Sequence, residues 1–296
     1  MKRFPLDLIL AGVATVAAVI ACADDLTFEG IAWLRQARMP TGAEQPHPPE
    51  IKIHCGEPGC TWGMIFYDVI VDGKGEVQAV RFRDQIGKLS RETRAMADQA
   101  ARVTSWDNLA PGRTIRSWQQ VEVLPPIRTP TRHVPFPSTD GKPISIFLER
   151  TGCFGTCPAY VTILRNDGTV YFCGRSDVRA LGWQTGRIAP EEFNRLVEQF
   201  RIADFFSLED QYSAEVTDNP TYLVGINVGG QAKAVLDYVG EEAGMPPTVT
   251  RLQNAIDKAA GTERWIQPQP TRMDFSTPTT DCSTPPSPFN DSALPS

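Results

Sequence analysis

Apolar and polar positions along the chain fall into two patterned segments. In the first, Met64-Ile65-Phe66-Tyr67-Asp68-Val69-Ile70-Val71 reads as a strand, Asp72-Gly73-Lys74-Gly75 as a turn, and residues 76–82 as the returning strand. Ser90 suits an N-cap, and Met96, Ala100 and Val103 share one face of the helix it starts. After Trp106 and the Pro111-Gly112 break, Ile115 to Leu124 forms a further strand with Trp118, Val121 and Val123 as apolar positions. The predicted order is strand, strand, helix, strand.

In the second segment Ile144, Ile146 and Leu148 alternate along a strand that leads into Thr151-Gly152-Cys153-Phe154-Gly155-Thr156-Cys157-Pro158-Ala159-Tyr160. Residues 160–164 and 169–173 follow as a hairpin around Arg165-Asn166-Asp167-Gly168, and Gly182-Trp183-Gln184-Thr185-Gly186 breaks the pattern. Pro190, with Glu191 and Glu192 behind it, opens a helix whose core face is Phe193, Leu196, Val197 and Phe200; Phe205-Phe206 is a satellite of that core. A second hairpin joins residues 222–228 and 232–238 through Gly229-Gly230. Thr248 then caps a helix carrying Val249, Leu252, Ile256 and Ala259. Both segments predict an α+β fold, a small antiparallel sheet with helices packed on one face.

Proline marks the boundaries, being concentrated near residues 40–49, 125–143 and from 268 onward. This gives a signal segment (1–21), a linker (22–49), a first domain (50–125), a Pro-rich linker (126–142) and a second domain (143–266). A Pro/Ser/Thr-rich tail (267–296) is predicted to be disordered. A net charge of −6 without a long basic run argues against nucleic acid as a partner.

Met1-Lys2-Arg3 followed by the apolar run from Leu8 to Ala21 has the form of an export signal, too short to span a bilayer comfortably. Val19-Ile20-Ala21-Cys22 reads as a lipobox, with Cys22 acylated and anchoring the protein to the membrane. Ala21-Cys22-Ala23 also fits ordinary small-x-small cleavage, and an uncleaved anchor is a third reading.

An exported chain counts its cysteines as a disulfide framework. There are seven, and with Cys22 set aside an even number remains. Local pairs Cys55–Cys60 and Cys153–Cys157 are the simplest assignment. Pairing Leu164 with Thr169 sets Cys173 opposite Tyr160, which disfavours Cys157–Cys173 and leaves Cys153–Cys173 open. Cys282 either ties the tail down or remains a free thiol.

The Cys153 to Tyr160 knuckle has three chemical readings: a structural disulfide, a thiol redox pair and a metal site. Redox cysteines are typically spaced Cys-x-x-Cys at a helix start; here the spacing is longer, a strand follows, and Arg150 is the only nearby cation. His54, Cys55 and Cys60 could supply three zinc ligands, but at a spacing that matches no closed zinc motif. Asp218, Tyr222 and Asp237 could form a polar cluster, although Asp218-Asn219-Pro220 is also ordinary turn chemistry. No catalytic residue, cofactor site or metal site is assigned.

The Val-Asp-Gly-x-Gly-x-Val turn at Val71 to Val77, the Ala-rich helix running to Trp106 and the Val-x-Val strand ending near Leu124 resemble the C-terminal domain of TonB-type energy transducers, over residues 51–125. The resemblance implies strand addition of an envelope protein or peptide to an edge strand carrying Ile115, Trp118, Val121 and Val123. The transducers' long periplasmic spacer is missing. From Thr151 through Tyr160, with Asn166-Asp167-Gly168-Thr169-Val170, Thr217-Asp218-Asn219-Pro220-Thr221 and Ala255-Ile256-Asp257, the second segment resembles an uncharacterised bacterial domain family with a Cys-Phe-Gly-x-Cys-Pro signature. That resemblance implies an exported or envelope-associated protein and transfers no catalytic residue. The expectation is a periplasmic lipoprotein that binds a protein or peptide partner. The alternatives are a thiol-disulfide or metal-dependent activity at Cys153 and Cys157, and a purely structural scaffold.

Overall fold

The computed structural model describes residues 48–57, 59–107, 114–266, 280 and 282. It divides into two compact units between Pro126 and Ile127. Both are α+β. The signal segment and Cys22 lie outside the described residues, and among those described no helix is long and apolar enough to cross a membrane.

In the first unit β1 (Ile51–His54), β2 (Gly63–Val71), β3 (Val77–Ile86) and β4 (Ile115–Leu124) form a sheet of order β1-β4-β2-β3, with α1 (Arg91–Val103) packed on one face. Ser90 caps α1 by accepting from Thr93 N–H. The apolar face differs from expectation: Thr93, Ala97 and Ala101 are buried, while Met96 and Val103 are exposed. Small side chains at i, i+4 and i+8 let the helix axis close on Ile65, Tyr67 and Val121, and longer ones could not fit there.

The sheet also corrects the edge assignment. β1 runs parallel to β4 and pairs Ile51 with Val121 and Ile53 with Val123, so this half of β4 is interior and both valines are fully buried. Ile115 is buried opposite Val71, and Trp118, opposite Asp68, is 43% exposed. β1 has only four residues, and its partner lies some seventy positions away, so nothing local in the pattern announces it.

The second unit carries a seven-stranded sheet, order β8-β7-β6-β5-β10-β11-β9. Its strands are β5 (Ile144–Arg150), β6 (Ala159–Arg165), β7 (Thr169–Ser176), β8 (Gly182–Arg187), β9 (Gln211–Ser213), β10 (Tyr222–Val228) and β11 (Gln231–Tyr238). Helices α2 (Pro190–Ile202) and α3 (Pro247–Ala260) cover one face, and the short α4 (Glu263–Ile266) follows. Phe193, Leu196, Val197 and Phe200 of α2 meet Val249, Leu252 and Ile256 of α3 over Ile146, Leu148, Phe172 and Val224 of the sheet. Thr248 is not the cap of α3: the helix begins at Pro247, and Pro246 occupies the cap position without a side-chain bond.

The β6–β7 register is one residue off the predicted one. Leu164 pairs with Val170, because Gly168 adopts a left-handed φ of +82° and its N–H bonds Arg165 O, closing a three-residue turn. Cys173 therefore faces Val161 and points to the face opposite the helices. There it bonds Cys282, and Thr280 N–H donates to Arg175 O. Those two tail residues are fixed to the sheet rather than disordered. The Pro-rich segment 127–142 is likewise no free linker: Arg128 N–H bonds Gly244 O, Val134 N–H bonds Ser207 Oγ, and Phe136 packs edge-on against Phe206.

Candidate functional site: a disulfide knuckle beside a cleft

The knuckle is built from three ties. Cys153 and Cys157 are joined in a disulfide, Thr151 N–H donates to Thr221 O at 2.9 Å, and Phe154 N–H donates to Asp218 O at 3.1 Å. Thr221 N–H returns a bond to Thr151 Oγ1 at 2.8 Å. The loop at Thr217 to Thr221 is thus the knuckle's support. Asp218 holds the left-handed conformation that Asp tolerates (φ 69°), and Phe154 stands at the tip, 71% exposed.

The far side of that loop borders a cleft of about 240 Å³, lined by Asn219, Pro220, Tyr222, Asp237, Met245 and Gln253 among others. Two of its lining residues, Tyr222 and Asp237, belong to one row of the sheet. Tyr160, Arg150, Tyr222, Asp237 and Tyr212 are successive cross-strand partners on β6, β5, β10, β11 and β9. Cross-strand partners share a face, and this row faces the helices. Two residues one turn apart on α3 meet it. Gln253 Nε2 donates to Asp237 Oδ2 at 2.8 Å, while Asp257 accepts Arg150 Nε and Nη2 on Oδ2 at 3.0 and 2.7 Å and Tyr160 O–H on Oδ1 at 2.7 Å. The Arg150 guanidinium also lies 4.4 Å from the centre of the Tyr222 ring.

Burial, followed by the Asp257 charge, pushes the Tyr160 hydroxyl well above the ordinary phenol range. Burial also raises Asp237 above the usual carboxylate range, and the nearby Glu241 charge adds to the rise, against the bonds from Gln253 and the Gly240 N–H. Gly240 is required by space: a Cβ there would come within 2.8 Å of both Asp237 Oδ1 and Met245 Sδ. Val239 lines the same cleft with φ 51°, a left-handed conformation that β-branched residues rarely adopt.

Of the residues singled out from sequence, Tyr222 and Asp237 come together here, with Asp218 in the supporting loop. Arg150, Val239, Gly240, Gln253 and Asp257 were missed as site residues. Gln253 alone left a local signal, a polar side chain inside the apolar stripe of Val249, Leu252 and Ile256. In the first unit Cys55 and Cys60 form the expected disulfide, and His54 Nδ1 donates to Pro125 O at 2.9 Å, so the three residues that could supply zinc ligands have other partners. Among the described residues no cluster of His, Cys, Asp and Glu is arranged to hold a metal.

Fold and site together define a disulfide-stapled α+β domain with a cleft beside its knuckle. Residues 144–260 match the family described as Domain of unknown function (DUF6438), so the C-terminal half carries an uncharacterised domain. No curated protein matches the chain.

Proposed function

We propose that this is an exported envelope protein, lipid-anchored through Cys22, whose units bind a protein or peptide partner and perform no chemistry. One observation carries the reading: the six cysteines beyond Cys22 are all consumed in Cys55–Cys60, Cys153–Cys157 and Cys173–Cys282. Such a framework suits an oxidising compartment. It also leaves Cys22, at the end of the apolar leader, with no cysteine of this chain to pair with, which favours acylation over a seventh structural thiol.

A fixed knuckle beside a preformed cleft favours binding, because a rigid surface loses little entropy when a partner docks. In the first unit the TonB-like reading is kept in reduced form. Its support is the strand, strand, helix, strand core; among the described residues β1 covers β4 only from Val121 to Leu124, and the stretch before Val121 is where a strand would add.

The test is metabolic labelling with a palmitate analogue, combined with intact mass before and after reduction. The expected result is label on the wild type, none on Cys22→Ser, and Cys153 joined to Cys157. A label-free protein cleaved elsewhere, or Cys153 alkylated under native conditions without reductant, overturns the reading and moves the thiol-redox alternative forward.

A further inference from the structure

We propose that the cleft beside the knuckle receives a basic side chain, lysine or arginine, from the bound partner, with Asp237 as its counter-ion. This rests on the binding function proposed above and names what is bound. Charge along the row of the sheet is not balanced at every position. The row contains one cation, Arg150, and α3 answers it with Asp257, which accepts both Arg150 Nε and Nη2. Asp237 is left as a carboxylate only 6% exposed: the Arg150 charge, two strands along the row and already paired with Asp257, acts on it only through space, and both of its hydrogen-bond donors, the Gly240 N–H and the Gln253 amide, are neutral. Buried carboxylates are ordinarily matched by a cation. These two bonds use about half of the acceptor positions an ionised carboxylate offers.

The shape of the site selects the ligand. Pro220, Val239 and Met245 give the cleft apolar walls, Tyr222 contributes an aromatic one, and Asp237 supplies the carboxylate. A long aliphatic stem ending in a cation matches such a lining, because the stem covers the walls while the charged head reaches the carboxylate. A simple metal ion would leave the apolar walls without contact, and an anion would be repelled. Asn219 and Pro220 belong to both the cleft wall and the knuckle support, so a peptide crossing the knuckle can deliver a side chain into the cleft.

The experiment selects ligands from a random peptide display library against the full-length protein and, in parallel, against Asp237→Asn and Asn219→Lys. Asn219 is exposed, so lysine there places a tethered cation at the mouth without touching the core, and this variant keeps the test valid if Asp237→Asn fails to fold. Selected sequences are then remade as synthetic peptides, with each basic residue also replaced by acetyl-lysine or norleucine. The expected result is enrichment of lysine or arginine at one position, with affinity falling at least about tenfold on acetylation and in either variant. Peptides that bind equally well after acetylation, or equally to Asn219→Lys, overturn the cation site while leaving the binding function standing. No selectable peptide of any composition overturns both.

Discussion

Arg150 and Asp257 stand 107 residues apart in sequence and meet through two hydrogen bonds to a single carboxylate oxygen. Their side chains are 15% and 20% exposed, so the pair is largely withdrawn from water. Removing one partner of such a pair strands the other, which typically costs about 3 kcal/mol or more, whereas replacing both with apolar residues is often near neutral. Asp257→Asn is therefore expected to destabilise the second unit by about 3 kcal/mol, and the double change Arg150→Met with Asp257→Leu by much less than the sum of its single changes. Tyr160→Phe removes one hydrogen bond and should cost about 1 kcal/mol. Urea unfolding of the single and double variants measures the coupling; additive losses would dismiss the pair as an energetic unit.

Asp237 gives a pH dependence of definite sign. Its folded pKa is raised above the ordinary 3.8, so the folded state holds the proton more tightly than the unfolded chain. The stabilisation this group contributes is present below its unfolded pKa and is lost as pH rises through the raised folded value. Asp237→Asn should erase that downward step, and at neutral pH it should be no less stable than wild type by more than about 1 kcal/mol. The difference between wild-type and variant urea midpoints across the acid range isolates the group from the other carboxylates. A difference that grew in favour of wild type with rising pH would reverse the assignment.

How much of this was legible depends on the range of the contacts involved. Helix α2, strand β4 and the β10–β11 hairpin follow from local periodicity, and the structure places them at Pro190–Ile202, Ile115–Leu124 and Tyr222–Tyr238. β8 escaped because Gly182, Gly186 and the polar Gln184 and Thr185 show no apolar alternation; its strand form comes from pairing with β7 from Thr169 to Gly174. The buried face of α1 is not legible from hydrophobicity, since Met96 and Val103 are more hydrophobic than Ala97 and Ala101 while a close helix-to-sheet contact selects for small size. At the site, Tyr222 and Asp237 are legible with Asp218 as a candidate polar cluster. Arg150 and Asp257 are not, since a row running across five strands has no signature in any single window of sequence.

Gly75 ties the turn of the first unit to the end of its helix. It sits at φ +86°, and a Cβ there would fall 2.1 Å from the Trp106 carbonyl oxygen, while Trp106 N–H donates back to Gly75 O at 2.8 Å. Gly75→Ala combines a left-handed alanine, costing about 1–2 kcal/mol, with displacement of backbone that cannot yield cheaply. The expected loss is about 3 kcal/mol or more, accompanied by a red shift of Trp106 fluorescence as the buried indole meets water. Lys74→Ala, one residue earlier on an exposed side chain, should stay within about 0.5 kcal/mol. Equal effects of the two would show that the Trp106 contact does not govern this turn.

The disulfides differ in what they hold, and their removal should differ accordingly. Cys153–Cys157 spans 4 positions and Cys173–Cys282 spans 109. Loop-closure entropy then gives about 2 kcal/mol for the short ring and about 4.8 kcal/mol for the long one. Both sulfurs of the long bridge are buried, with Cys173 fully enclosed and Cys282 8% exposed, so mild reductant should open the knuckle first. Cys282→Ser is expected to lower the stability of the second unit by about 4–5 kcal/mol and to release any fragment cut C-terminal to residue 266 without reductant. In the wild type a protease cut within 267–279 should instead leave the C-terminal fragment attached until reductant is added. The paired change Cys153→Ser with Cys157→Ser should cost no more than about 2 kcal/mol while lowering affinity for any peptide that crosses the knuckle. Urea unfolding, limited proteolysis on non-reducing gels and peptide binding together separate the two bridges. A larger stability loss from the knuckle than from the tail bridge would mean that the short ring, rather than the tail, clamps this domain.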